Sequence, residues 1–241
     1  MSDGELLRDP RGRDLGHVVY CIGLTADFRT KPFATVEAHT SLVARVLESC
    51  DFTSFVYLSS TRVYSGAEHT NEGAALKVQP LVTGDIYNLS KLLGESLCIN
   101  SGKNCRIARL SNVFGPHGGT DTFLGAVAHE AAAHGRVLFQ SSPESEKDYV
   151  SLSDVVRWLA LIGPVGDEPV YNLASGRNTS NRALAAQLES LGVQCEFAPA
   201  APTVSFPKID TSRVEGAFGP ATETIESALP QLIEFARAGC R

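Results

Sequence analysis

Three short apolar runs, HVVYCIG at 17–23, FTSFVYLS at 52–59 and RIARL at 106–110, limit the fold more than any other feature of the chain. Stretches of helical periodicity separate them. In 34–49, Ala38, Leu42, Val46 and Leu47 recur at the spacing of one buried helix face, with Thr35 or an earlier residue as the candidate cap. A polar, Gly-containing loop at 65–83 leads to a second helix at about 84–100. Strands that alternate with helices in this way imply parallel βαβ units with right-handed crossovers, hence an α/β fold built on a doubly wound parallel sheet. The second half reads as more mixed. Helices are predicted at 122–134, 153–162 and 180–191, stopped by Gly135, Gly163 and Gly192, with Ser153 capping the second. Short strands near 137–140 and at 170–173 separate them, and a last helix covers 226–238 with Pro230 in or near its first turn.

The bulk chemistry excludes several classes of function. A net charge of −6, with no run of Lys and Arg, argues against nucleic-acid binding. No stretch approaches the ~18–20 consecutive apolar residues of a membrane span, and the start MSDGE is polar and acidic, unlike a signal peptide. The six cysteines, Cys21, Cys50, Cys98, Cys105, Cys195 and Cys240, include no close CxxC pair. They read as reduced thiols and not as a disulfide framework or a zinc site, with Cys21, Cys98 and Cys105 as buried small hydrophobes. The expectation is a soluble cytoplasmic protein that binds no metal.

Two chemical features stand on this frame. Tyr87 precedes Lys91 by four residues, so the two side chains share one helix face. An ammonium there stabilises a phenolate and brings a phenol of unperturbed pKa ~10 closer to use as a base. Glu95, four residues beyond Lys91, is an equally spaced partner for the lysine. The run at 52–59 ends in Ser59-Ser60-Thr61, and open α/β sheets bind ligands beyond the carboxyl ends of their strands. The plainer reading of these hydroxyls is a strand-end turn satisfying backbone groups. His129 and His134 lie five apart, which sends them to different sides of a helix and makes a zinc-protease pair unsuitable. The glycine-rich GPHGG at 115–119 reads as a substrate-side loop.

Taken in order, FVYLSSTRVY at 55–64, YNLSK at 87–91, RLSNVFGP at 109–116, KDYVSLSD at 147–154 and VYNLASG at 170–176 resemble the extended short-chain dehydrogenase/reductase family. The likeness is to its NAD-dependent nucleotide-sugar epimerases and dehydratases, and it runs from about residue 17 to about residue 220. It implies a Rossmann-like core at 17–112, after a polar segment at 1–16, and a mainly substrate-binding region at 113–241 that returns in part to the core. It also implies NAD or NADP as cofactor and a catalytic set of Ser60, Tyr87 and Lys91. Tyr87 exchanges a proton with a sugar hydroxyl, Ser60 holds the same oxygen, and Lys91 lowers the tyrosine pKa and contacts the nicotinamide ribose, so that Tyr87 and Lys91 also face the cofactor. Thr61, Arg62, Asn112 and Lys147 are the implied substrate contacts, with Lys208 a weaker candidate; a solvated surface charge is the plainer reading of Lys147 beside Glu144 and Glu146. Asp148 and Asp154 read as bracing and capping residues. Thr61 and Arg62 occupy the places where 4,6-dehydratases carry an Asp-Glu pair, so epimerisation or ketoreduction is expected over dehydration.

One departure from the family pattern is plain. No GxGxxG or GxxGxxG occurs anywhere in the sequence, and the run at 17–23 resembles the family's fourth strand. The half-sheet preceding it would be roughly 60 residues long. The expected cofactor is thus set against the absence of its cradle. The alternative function is a non-catalytic or partner-dependent remnant, with a homodimer mate or another chain covering the open sheet edge. A start site assigned too late would leave the same pattern.

Overall fold

The computed structural model describes residues 14–24, 26–116 and 119–239. Most of the polar N-terminal segment, His117-Gly118 of the glycine-rich loop, and Cys240 lie outside these residues. The strands are β1 (His17–Tyr20), β2 (Ser54–Ser60), β3 (Cys105–Leu110), β4 (Asn112–Phe114), β5 (Arg136–Phe139), β6 (Glu146–Ser151), β7 (Val170–Leu173), β8 (Asn178–Ser180) and β9 (Gln194–Phe197). The helices are α1 (Pro32–Val36), α2 (Leu42–Ser49), α3 (Asp85–Asn100), α4 (Phe123–His134), α5 (Leu152–Val165), α6 (Asn181–Ser190), α7 (Ser212–Phe218) and α8 (Ile225–Gly239).

The fold is the α/β, Rossmann-like parallel sheet that the sequence pattern implies. Its strand order is β1-β2-β3-β7, every pair parallel. β2 is central and buried on both faces, which is why SFVYLSS reads as an unbroken apolar run and not as an alternation. Its side chains still divide by the period of two. Phe55 and Tyr57 join Tyr20, Val43, Leu47 and Ile107 in a core under α2 and α3. Val56 points the other way, into a core with Trp158 and Ile162 of α5 and Val214 of α7. A third core, formed by α4, α6, α8, β5 and β9, holds the remaining region together. Between these lies a small sheet in which β6 pairs parallel to β4 and antiparallel to β8.

The predicted helix at 34–49 starts earlier and is not uniform. Pro32 opens it, since a missing N–H costs nothing in a first turn. Thr35 lies inside the helix, its hydroxyl donating to Lys31 O at 2.9 Å, and does not cap it. A π-helical turn at Glu37–Ser41 joins α1 to α2. Such a turn frees carbonyls from the helical ladder, and two tyrosines of the sheet take them up. Tyr20 Oη donates to Ala38 O at 2.7 Å and Tyr57 Oη to His39 O at 3.0 Å. Helix α3 crosses this turn at Gly94, where an added Cβ would stand 2.5 Å from both His39 O and Tyr57 Oη. Glycine is what lets the two helices and the strand close on one another.

Other expectations need correction. Ser151, not Ser153, caps α5, its Oγ accepting from Asp154 N at 3.0 Å, while Ser153 Oγ donates to Glu223. The helix then runs through Gly163 and Pro164 to Val165, so Gly163 is no stop. Pro230 lies well inside α8 and not in its first turn. The Glu226 carbonyl, which a proline four residues on cannot serve, accepts from Gln187 Nε2 at 2.9 Å. Cys21 is exposed, because it follows the sheet's edge strand; Cys98 is buried and Cys105 half-buried. Cys21, Cys98, Cys105 and Cys195 are free thiols. No helix among the described residues is long and apolar enough to cross a membrane.

Candidate active site

The carboxyl ends of β1, β2 and β3 open on a cavity of about 570 Å³. Ser60, Thr61, Arg62, Tyr87, Lys91, Asn112 and Lys147 line it. Lys208 does not; it is exposed, and its carbonyl accepts from Thr70 Oγ1 at 2.8 Å.

Ser60 closes β2 and caps the 3-10 turn Thr61–Tyr64, its Oγ accepting from Arg62 N at 3.2 Å. The strand-end turn reading of this hydroxyl is therefore met, and Ser60 also hydrogen-bonds the Tyr87 phenol. Tyr87 and Lys91 stand on consecutive turns of α3 and are 7% and 5% exposed. Lys91 Nζ donates to Leu58 O at 2.8 Å and lies 6.0 Å from the centre of the Tyr87 ring. Burial lowers its pKa to about 8 against the pull of Glu95. Burial also raises the Tyr87 pKa, and the groups that oppose the rise are the Ser60 hydroxyl and the Arg62 guanidinium. The lowering expected from Lys91 is not among these influences, and Tyr87 stands as a phenol.

Glu95 is not the partner of Lys91. It forms a two-pronged ion pair with Arg109 of β3, Nη2 to Oε2 at 2.6 Å and Nε to Oε1 at 3.0 Å, both residues buried. Ser59 Oγ donates to the same carboxylate at 2.5 Å. Arg109 Nη1 donates onward to Tyr64 Oη at 2.7 Å, and Tyr64 to Asn172 Oδ1 of β7 at 2.9 Å. This network occupies the acid that could have neutralised Lys91 and leaves the lysine facing the cavity.

The substrate-side residues are placed by β4 and β6. Asn112 Nδ2 donates to Asp148 O at 2.8 Å. Asp148 is buried and braces the loop after β7, accepting from Ser111 Oγ, Ser175 N and Oγ, and Arg177 N at 2.6–3.0 Å. Lys147 is half-buried over the Phe123 ring at 4.7 Å, its pKa lowered by burial and by the charge of Arg62. It is not the solvated charge of the plainer reading: Glu144 pairs with Arg182 and Glu146 accepts from Asn178. Thr61 is turned to the protein, Oγ1 donating to Leu110 O at 3.3 Å.

Sequence reasoning missed His39, a fully buried residue of the π-helical turn. Leu24 N donates to its Nε2 at 3.1 Å, so Nδ1 carries the proton and faces Ser90 Oγ at 2.9 Å. Its ring meets the Tyr87 ring edge-on, centroids 5.2 Å apart, and Phe28 packs on the same tyrosine at 5.0 Å. The one available signal was a histidine beside Ala38 on the apolar face of a helix. Burial, then the charge of Lys91, lower the His39 pKa to about 3 from 6.5. The folded chain therefore refuses a proton that the unfolded chain accepts below pH 6.5, and stability falls with pH from there down to about 3. Between pH 6 and 4.5, above the range of ordinary carboxylates, the expected contribution approaches about 1.4 kcal/mol per pH unit. Urea titrations of the parent and His39→Asn at several pH values in that interval measure it; equal slopes for the two proteins refute the assignment.

A parallel sheet whose cavity lies beyond the strand ends, with a hydroxyl, a phenol and an ammonium along one wall, defines a Rossmann-like protein of the extended short-chain dehydrogenase/reductase type. The chain belongs to the NAD dependent epimerase/dehydratase family, whose model matches residues 10–174. No curated protein matches it in sequence. Among solved structures it is similar to MoeE5 in complex with UDP-glucose and NAD, at 22% identity and TM-score 0.77 over 95% of this chain and 80% of that one. It is also similar to RMD from Pseudomonas aeruginosa complexed with NADPH, at 21% identity and TM-score 0.76 over 93% and 81% of the two chains. A third is UDP-glucuronic acid 4-epimerase from Bacillus cereus, at 18% identity and TM-score 0.69 over 85% and 69%. At these identities the likeness establishes the fold.

Proposed function

We propose that the chain acts on a nucleotide-linked sugar as an NAD(P)-dependent epimerase or ketoreductase, with Tyr87 as the proton-transfer residue. The observation that carries this reading is the meeting of Ser60, Tyr87 and Lys91 in one cavity at the carboxyl ends of the strands. Ser60 holds the sugar oxygen in line with the phenol. Tyr87 gives a proton to that oxygen as the carbon is reduced and takes it back as the hydroxyl is oxidised. The Lys91 ammonium steadies whatever negative charge reaches the phenolic oxygen.

The reading of a cofactor's reactive end at this cavity rests on Lys91, Tyr87 and Gly23. Lys91 keeps N–H groups beyond the one spent on Leu58 O. Gly23 brings its backbone close enough that an added Cβ would be 3.4 Å from Lys91 Nζ and 3.1 Å from His39 Nε2. Lys91, Tyr87 and Gly23 would hold the nicotinamide ribose. A nicotinamide bound there supplies the acceptor and donor of hydride. A family-type glycine-rich turn for the pyrophosphate is absent from the sequence.

The exposed edge strand supports a second reading, a chain whose function depends on a partner. Val19 and Ile22 are 40% and 42% exposed beside a β1 edge that pairs with no further strand among the described residues, a surface that a neighbouring strand would normally cover.

Isothermal titration of the chain with NAD, NADH, NADP, NADPH and a panel of UDP-, GDP- and dTDP-sugars tests both. The first reading expects a sugar nucleotide and a dinucleotide to bind the same molecule. Sugar-nucleotide binding with no dinucleotide binding transfers support to the second. Absence of any sugar-nucleotide binding overturns the substrate class.

A further inference from the structure

Arg62 is the feature of the cavity that the proton-transfer reading leaves unused. It is set two residues after Ser60, its N–H on the Ser60 hydroxyl and its guanidinium 5.2 Å over the Phe28 ring. Its terminal nitrogen lies against the backbone at Gly84, where an added Cβ would be 3.0 Å away. Its Nε is buried with no hydrogen-bond partner. Buried donors are almost always satisfied, so an orphan on a charged group is an uncommon expense.

Among the described residues, no carboxylate lies within ion-pair distance of Arg29, Arg62, Lys91 or Lys147. Asp85 acts on Arg62 beyond ion-pair distance, its oxygens accepting from Asn88 Nδ2 and Gln79 N. Asp148 is consumed by the loop it braces. Arg29 and Lys147 are close enough for their charges to work against that of Arg62. Asp121 and Asp148 also line the cavity, but neither forms an ion pair with these four cations, and an anion bound among them would relieve their repulsion.

The position of Arg62 selects which anion. Its backbone is tied to Ser60 and its charge acts on the Tyr87 phenol, so it flanks the reacting carbon. A planar fork suits a planar carboxylate, which it engages with two parallel hydrogen bonds. Resting on the sugar-nucleotide reading above, we infer that the sugar ring presented to Tyr87 carries a carboxylate, as a hexuronic acid does, and that Arg62 recognises it.

The test compares UDP-glucuronic acid and GDP-mannuronic acid with UDP-glucose, GDP-mannose and the free nucleoside diphosphates by isothermal titration. The parent chain, Arg62→Gln and Arg62→Lys are compared, with circular dichroism melts to verify folding. The parent is expected to bind one acidic sugar nucleotide about 10–100-fold more tightly than its neutral counterpart, the worth of a hydrogen-bonded charge. Arg62→Gln erases that preference by weakening the acid alone, and Arg62→Lys restores part of it. Equal affinity of the parent for acidic and neutral sugars overturns the inference and leaves the sugar-nucleotide reading standing. So does an Arg62→Gln loss as large for the free diphosphates as for the acid, which would assign Arg62 to the diphosphate. If no sugar nucleotide binds, both fall together.

Discussion

Replacing Arg109 with methionine is expected to lower the free energy of unfolding by about 3–5 kcal/mol, a large share of what holds a domain folded. The loss is not the worth of a contact. It is the cost of leaving the Glu95 carboxylate charged and buried with only the Ser59 hydroxyl to answer it. The same change removes the donor to Tyr64, which bridges Arg109 to Asn172. Urea denaturation of the variant measures the effect. Replacing Glu95 and Arg109 together with apolar residues is expected to recover most of it, because no uncompensated charge remains. A single-variant loss below about 1 kcal/mol, the range of exposed pairs, refutes the account.

Tyr87→Phe is expected to reduce turnover of the sugar nucleotide selected by titration by about 10²–10⁴-fold, the usual contribution of a positioned proton-transfer group. The ring persists in the variant, with its packing on Phe28 and His39, so substrate affinity should move by no more than about threefold. A change confined to kcat marks an interaction made in the transition state. Parallel losses in kcat and affinity would instead make Tyr87 a binding residue, and unchanged turnover would dismiss it as the proton-transfer group.

The sequence made the central sheet legible because its strands are buried on both faces. FVYLS and VYNL must be continuous apolar runs there, and β2 and β7 stand where those runs predict them. β6 and β8 were missed for the opposite reason: EKDYVS pairs with β4 and β8, NTS with β6, and both carry little apolar pattern of their own. Ser151 and Ser153 are equally plausible caps in sequence, and only the end of β6 at Ser151 decides between them. Helical spacing placed Tyr87 and Lys91 together but could not tell that Glu95 belongs to Arg109, since a partner on another strand outweighs a neighbour one turn away. His39 was hidden by the same limit. A histidine on an apolar face becomes informative only when the π-helical turn, Leu24 and Ser90 are seen around it.

Asn172 also bears on how the chain comes to be assembled. It lies 108 residues after Tyr64, and its side chain accepts from Tyr64 while donating to Thr70 O and Asp210 O. Until β7 emerges during synthesis, β3 has an unpaired side and the polar chain from Glu95 through Arg109 to Tyr64 lacks its terminus. Long-range closures of this kind slow folding and keep nascent chains exposed to misassociation. The sheet that carries the Tyr87 helix therefore needs Val170–Leu173 beside β3 before its pairing and its polar network are complete.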